Sequence, residues 1–289
     1  GIPFFSADTS SIYTTDVSGT DDTASGNSAY GYQAMDAITT GDNNVAIGLS
    51  ALGANTTGAN NVAVGSIAFD ANTTGGQNVA IGYTAMGAQT TASNNVAVGN
   101  QALQTNQTGT ELVAVGHEAL KANLGDACVA VGFQALLANT TGASNIAIGS
   151  TALAANTTGS RNIGIGSNAN DSSDTENDNI AIGYNAMTTD SAGGLQNLAI
   201  GNYALQALTS GDGNMALGHN AGYTVTTGSR NVGLGLSSLE TNNADDNTAV
   251  GYNAMNATTT GADNVAVGRD ALVANTTGTR NVAVGKDAL

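Results

Sequence analysis

NNVAVGSIAFDANTTGGQNVAIGYTAM, residues 60–86, states one pattern twice. NVAVG at 61–65 returns as NVAIG at 78–82, and SIAF at 66–69 returns as YTAM, each 17 residues on. A fixed period of this kind marks a repeat architecture whose units bury their apolar sides against their neighbours. Anchoring on the glycine that closes each NVAVG gives Gly31, Gly48, Gly65, Gly82, Gly99, Gly116, Gly132, Gly149, Gly166, Gly183, Gly201, Gly218, Gly235, Gly251, Gly268 and Gly285. Of the 15 intervals, 12 are 17 residues, two are 16 (116 to 132 and 235 to 251) and one is 18 (183 to 201). The repeat domain therefore runs over 27–289, and residues 1–26 read as an irregular N-terminal junction or cap.

Each column of the repeat has a physical reading. Three residues before the glycine stands Val, Ile, Leu or Met in 14 of 16 repeats, and one residue before it an aliphatic residue in all but the first, where Tyr30 sits. Between them is Ala, or Gly at 164 and 233. Apolar–small–apolar at period two is a β-strand with one bulky and one nearly bare face. An Ala-Leu, Ala-Met or Ala-Phe pair follows, as at Ala68–Phe69, and reads as a second short strand. A polar turn such as ANTTG then closes the unit, its glycine expected to supply a positive φ. Paired helices need about 30 residues or more per repeat, and this density of Gly, Asn and Thr disfavours them. The expected fold is all-β: a parallel β-solenoid of about 16 coils with two short strands per coil, forming a rod roughly 75 Å long at the usual strand spacing.

Four residues before the glycine, Asn recurs at 27, 44, 61, 78, 95, 145, 162, 179, 197, 214, 231, 247, 264 and 281. Stacked at one strand spacing, Asn44, Asn61, Asn78, Asn95, Asn145, Asn162, Asn179, Asn197, Asn214, Asn231, Asn247, Asn264 and Asn281 form a structural ladder of amide-to-amide hydrogen bonds. Leu112 and Cys128 interrupt it where a 16-residue interval begins, so a local irregularity is expected there. Val62, Val64 and Phe69 are the expected core of a coil. The Ala column (Ala46, Ala63, Ala80, Ala97) is then left as a smooth outer stripe for a sister chain.

Composition narrows function. With 22 Asp and Glu against 6 Lys and Arg, the net charge is −16. The basic footprint that phosphate binding needs is missing, so nucleic acid and anionic membrane surfaces are poor partners. Repelling charge on a rod suits a salty medium that screens it. No apolar run approaches the roughly 20 residues of a membrane helix. The chain begins at Gly1 and ends part-way through a repeat, as expected for a piece of something longer.

The columns carry a family likeness. N-x-V-A-[VI]-G, then x-x-A-[LM] and a T-G turn, resembles the head repeats of YadA-like trimeric autotransporter adhesins and, more closely, the tail-fibre shafts of some bacteriophages. The likeness spans 27–289; adhesin heads more usually repeat at about 14 residues, which tilts the reading towards a fibre. It implies a left-handed β-roll, a homotrimeric rod, an attachment role at a bacterial surface or on a virion, and a host-surface receptor or glycan as partner.

Candidate chemistry is sparse. His117 and His219 both follow a repeat glycine and read as outward polar fillers. HEALK at 117–121 places Lys121 where a zinc motif needs its second His, so no metal or other cofactor is expected. Cys128 reads as a small thiol in a ladder slot, with an interchain contact as the alternative. DSSDTEND (171–178) reads as a solvated acidic loop, and 190–194, inside the 18-residue interval, as an outward bulge. Asn-x-Thr sequons begin at Asn55, Asn72, Asn106, Asn139, Asn156, Asn256 and Asn275. Arg161, Arg230 and Arg280 share a column with Asp178, Asp246 and Asp263, which exposure explains. The expectation is a non-enzymatic structural fibre or adhesin shaft. The alternatives are an ice-binding solenoid using its Thr pairs and, least favoured, a tail-spike-like glycan-degrading enzyme using Asp174 and Glu176.

Overall fold

A computed structural model describes residues 12–13, 23–172, 174–189 and 194–289 of the chain. Among these there is no helix; short parallel strands wind into a β-solenoid with one strand per coil. The chain divides into two compact units, 1–143 and 144–289. The first holds β1 (Ile12–Tyr13), β2 (Ser28–Tyr30), β3 (Val45–Ile47), β4 (Val62–Val64), β5 (Val79–Ile81), β6 (Val96–Val98), β7 (Val113–Val115) and β8 (Val129–Val131). The second holds β9 (Ile146–Ile148), β10 (Ile163–Ile165), β11 (Ile180–Ile182), β12 (Leu198–Ile200), β13 (Met215–Leu217), β14 (Val232–Leu234), β15 (Thr248–Val250), β16 (Val265–Val267) and β17 (Val282–Val284). Within each unit consecutive strands pair in parallel and in register, Val62 with Val79 and Ile163 with Ile180. Residues 12–13 already pair with Ser28 and Ala29, inside the expected N-terminal junction; most of the rest of that junction lies outside the described residues.

The two faces of the strand are the reverse of the expectation. Ala46, Ala63, Ala80 and Ala97 are fully buried, whereas the flanking Val62 and Val64 are only half-buried and Ile47 and Ile81 are exposed. The bare face points in and the β-branched face points out. The reason is cross-section: the segment after each repeat glycine sends Leu52, Phe69, Met86 or Leu103 into the coil, and a close-packed interior leaves room for little more than a methyl opposite. Where Gly164 replaces the alanine, Leu153 has taken the space, its Cγ lying 3.0 Å from where a Cβ would stand.

The expected second strand is an irregular segment that still pairs coil to coil. Ser50 and Leu52 have φ of 51°, and Ile67 and Phe69 of 56° and 55°, with ordinary residues between. Successive peptides thereby point their N–H groups up and down the axis: Ser50 donates to Tyr32 O (2.9 Å) in the coil before, Leu52 to Ala68 O (3.1 Å) in the coil after. Left-handed φ costs an L-residue roughly 1–2 kcal/mol, and the axial hydrogen bonds offset it. The repeat glycine has no such latitude. Gly65 sits at φ 137°, and a Cβ there would lie 2.5 Å from Gly82 O. The turn glycine differs from the expectation: Gly58 lacks a positive φ, and glycine is required because a Cβ would meet Gly75 O at 2.3 Å.

Candidate interaction surface

Two rows of buried carboxamides stack from coil to coil, each interrupted in places by other residues. Asn44, Asn61, Asn78 and Asn95 in the first unit, and Asn145 to Asn264 in the second, are buried; Asn281 is half-buried. The ladder is richer than amide-to-amide. Asn61 Oδ1 accepts the backbone N–H of Asn78 (3.0 Å) and its Nδ2 (3.1 Å), while Asn61 Nδ2 donates to Gly75 O (2.8 Å). Each side chain thus satisfies a backbone donor in the next strand and a turn carbonyl. Cys128 fills its slot fully buried, and its thiol faces Gly142 O at 3.4 Å, where an Asn Nδ2 would donate. An interchain thiol contact at Cys128 is therefore excluded. Leu112 N–H still donates to Asn95 Oδ1 (2.9 Å), and β7 and β8 keep their register, so the expected irregularity is confined to the turn. There Leu124 stands alone where Thr56–Thr57 stand as a pair.

The second row was read from the sequence only as sequons. Asn55, Asn72, Asn106, Asn139 and Asn156, with Gln89 and Asn123, point inward and are fully buried. Asn72 accepts the N–H of Gly75 (3.0 Å), donates to its carbonyl (3.0 Å) and donates to Asn55 Oδ1 (2.8 Å). Those five sequons are closed to glycosylation in the folded chain; Asn256 and Asn275 are half-buried. Their 17-residue spacing was the signal that could have identified a ladder. A third row lies at the turn's outer edge, where Asp42, Asp126, Asp212 and Asp245 accept backbone N–H groups of the coil before, Thr110 to Asp126 Oδ1 at 2.7 Å among them.

The polar candidates resolve into surface structure. His117 is exposed and stacks on Phe133 at 5.5 Å; His219 lies edge-on to Tyr203. Glu118 pairs with Lys121 at 2.6 Å, and that hydrogen bond, with one from Gln134, holds its carboxyl below the usual range. Arg161 makes a two-pronged contact with Asp178 (2.6 and 2.8 Å), and Arg230 with Asp246 (2.7 and 2.8 Å). The shared column is thus a set of cross-coil ion pairs and not merely exposed positions; the arginine hydrogen bonds push the pKa of Asp178 and of Asp246 down. The acidic segment is not wholly solvated: Glu176 stands in the turn-glycine column, is 3 % exposed, and its Oε2 accepts N–H from Asp174 (2.9 Å) and Thr175 (3.0 Å). That carboxylate caps backbone. Residues 190–193 of the expected bulge lie outside the described residues. Among the described residues no three His, Cys, Asp or Glu side chains gather as a metal site.

The outward strand face and the column after the repeat glycine are apolar. Ile47, Ile81, Ile148 and Leu217 are 38–44 % exposed, flanked in the next column by Leu49, Tyr83, Phe133, Tyr184, Leu236 and Tyr252 at 44–50 %. No family model, curated protein or solved structure matches this chain.

Proposed function

We propose that the chain is the shaft of an extracellular attachment fibre, on a bacterial surface or a virion, assembled from copies of itself and without catalysis. The observation that carries this is the outward row of β-branched and aromatic side chains, repeated coil after coil. Apolar patches of such extent mark interaction surfaces. A partner able to meet every coil must share the axial repeat of roughly 4.8 Å, and a second copy does. The row replaces the alanine stripe as the seam between chains. Identical chains related by rotation about a common axis close into a ring, and three is the number the fibre resemblance implies. Stacked coils that alter little in chemistry add reach and stiffness.

Sedimentation velocity at micromolar concentration should give a trimer. Val64→Glu with Ile81→Glu, both on the outer face, should reduce it to single chains that keep their β-sheet circular dichroism. A stable wild-type monomer overturns the assembly. Immuno-electron microscopy of the native cell or particle should place the chain in thin projections, and label confined to the cell interior overturns the attachment role.

One observation favours a second reading. Thr57, Thr74, Thr91 and Thr108 stand exposed in successive coils, as a water-ordering face requires, although the partner column donates its hydroxyls to backbone, Thr56 to Thr73 O at 3.0 Å. Thermal hysteresis by the wild-type chain that Thr74→Lys abolishes would support it, and its absence removes it.

A further inference from the structure

We propose that the coil built around Asn170 is a joint, the place in the second unit where the solenoid opens first. Apart from Gly222, which has no side chain, the fourth residue after the repeat glycines of this unit fills the coil with an apolar side chain: Leu153 before it, Met187 and Leu205 after it. Asn170 occupies that slot, is fully buried, and neither its Oδ1 nor its Nδ2 has a hydrogen-bond partner among the described residues. A buried carboxamide that has left water without replacing its hydrogen bonds destabilises the fold around it. The backbone of the slot is normal: Asn170 N–H donates to Ala186 O at 2.9 Å. The coil is therefore formed, but filled with the wrong chemistry.

Two further features point to the same place. The continuous apolar core of this region runs from Ala169 to Val225 and does not include Ala152 or Leu153, which are equally buried. A second core, Leu239 to Ala283, is likewise separate. Both breaks coincide with the two strands in which glycine replaces the inward alanine, Gly164 in β10 and Gly233 in β14. The second break is chemically complete: Ser238, buried in an alanine position, donates its hydroxyl to Gly235 O at 2.9 Å, and the space at Gly222 is taken by Leu205, whose Cδ2 lies 2.7 Å from where a Cβ would stand. Only the first leaves polar atoms unpaired. In a stack where each coil touches only its neighbours, opening follows the local filling. A load along the axis would then be released at a set position, with the coils on either side intact.

Hydrogen exchange of the full chain, read by mass spectrometry, tests this. Amides of 163–170 and 180–187 should exchange on the order of tenfold faster than those of 247–255, the expected scale for an unpaired buried amide. Asn170→Leu, which restores the residue found at Leu153, should slow them to the rate of 247–255. In the Asn170→Leu chain, Met255→Asn should transfer the fast exchange to its own coil. Equal rates in the wild-type chain, no slowing in Asn170→Leu, or no transfer by Met255→Asn each overturns the proposal.

Discussion

The coil that runs from Val62 to Phe69 and the one from Ile163 to Asn170 have the same strand length, the same parallel register and the same stacked Asn at their start. Inside, one holds Phe69, the largest fully buried side chain among the described residues, and the other holds Asn170, whose carboxamide has no hydrogen-bond partner among them. Winding is thus indifferent to filling. The period is imposed by glycines stacked backbone to backbone and by carboxamides that, in all repeats but the last and those of Leu112 and Cys128, answer a backbone N–H of the next coil and a turn carbonyl. The apolar side chain sets how firmly each coil is shut.

Breaking what the two coils share should cost most. Gly65→Ala and Gly166→Ala each drive a Cβ to within 2.4–2.5 Å of the next repeat glycine's carbonyl at φ near 135°. Each should cost about 3 kcal/mol or more in urea unfolding, and by similar amounts; a mild or unequal loss would show that winding does depend on filling. Breaking what differs comes next: Phe69→Ala should lose about 3–5 kcal/mol, whereas Asn170→Ala should fall within about 1 kcal/mol of wild type. Asn61→Ala and Asn162→Ala should each lose about 1–3 kcal/mol, because both orphan a buried strand N–H; unequal losses would place the ladder's strength in the core and not in the amides.

Asp171, beside Asn170, gives a smaller effect with a definite sign. Burial pushes its carboxyl pKa up, more than the Ser172 hydroxyl pulls it down. A folded pKa above the unfolded one means stability is greatest below the unfolded value, near 3.9, and falls as pH rises through the folded value. Asp171→Asn should therefore raise the melting temperature at pH 7 and make no difference at pH 3. A gain of equal size at both pH values would refute the charge origin. Smallest is the surface pair: Arg161→Ala should lower the melting temperature least of these variants, and any loss should shrink in 1 M salt.

Much of this was legible in the residues. The position of the first strand in each coil, parallel pairing, the 17-residue coil and the first Asn row follow from spacing, because identical side chains at a fixed period stack in any solenoid; the second strand expected at Ala68–Phe69 does not form. The inner row at Asn55, Asn72 and Asn106 was hidden because A-N-T-T-G is also what an exposed turn looks like. The outer candidate surface was assigned to alanine because bulky β-branched residues ordinarily face a core.

By itself, the sequence determined the period, the parallel pairing of coil with coil and the first row of stacked Asn, since all three follow from repetition at fixed spacing. Which face of each strand turned inward was decided only in three dimensions. A period of two says that Val62 and Ala63 point opposite ways, but the direction depends on the space left by Phe69 and two carboxamides across a narrow coil. There, one methyl fits and an isopropyl group does not.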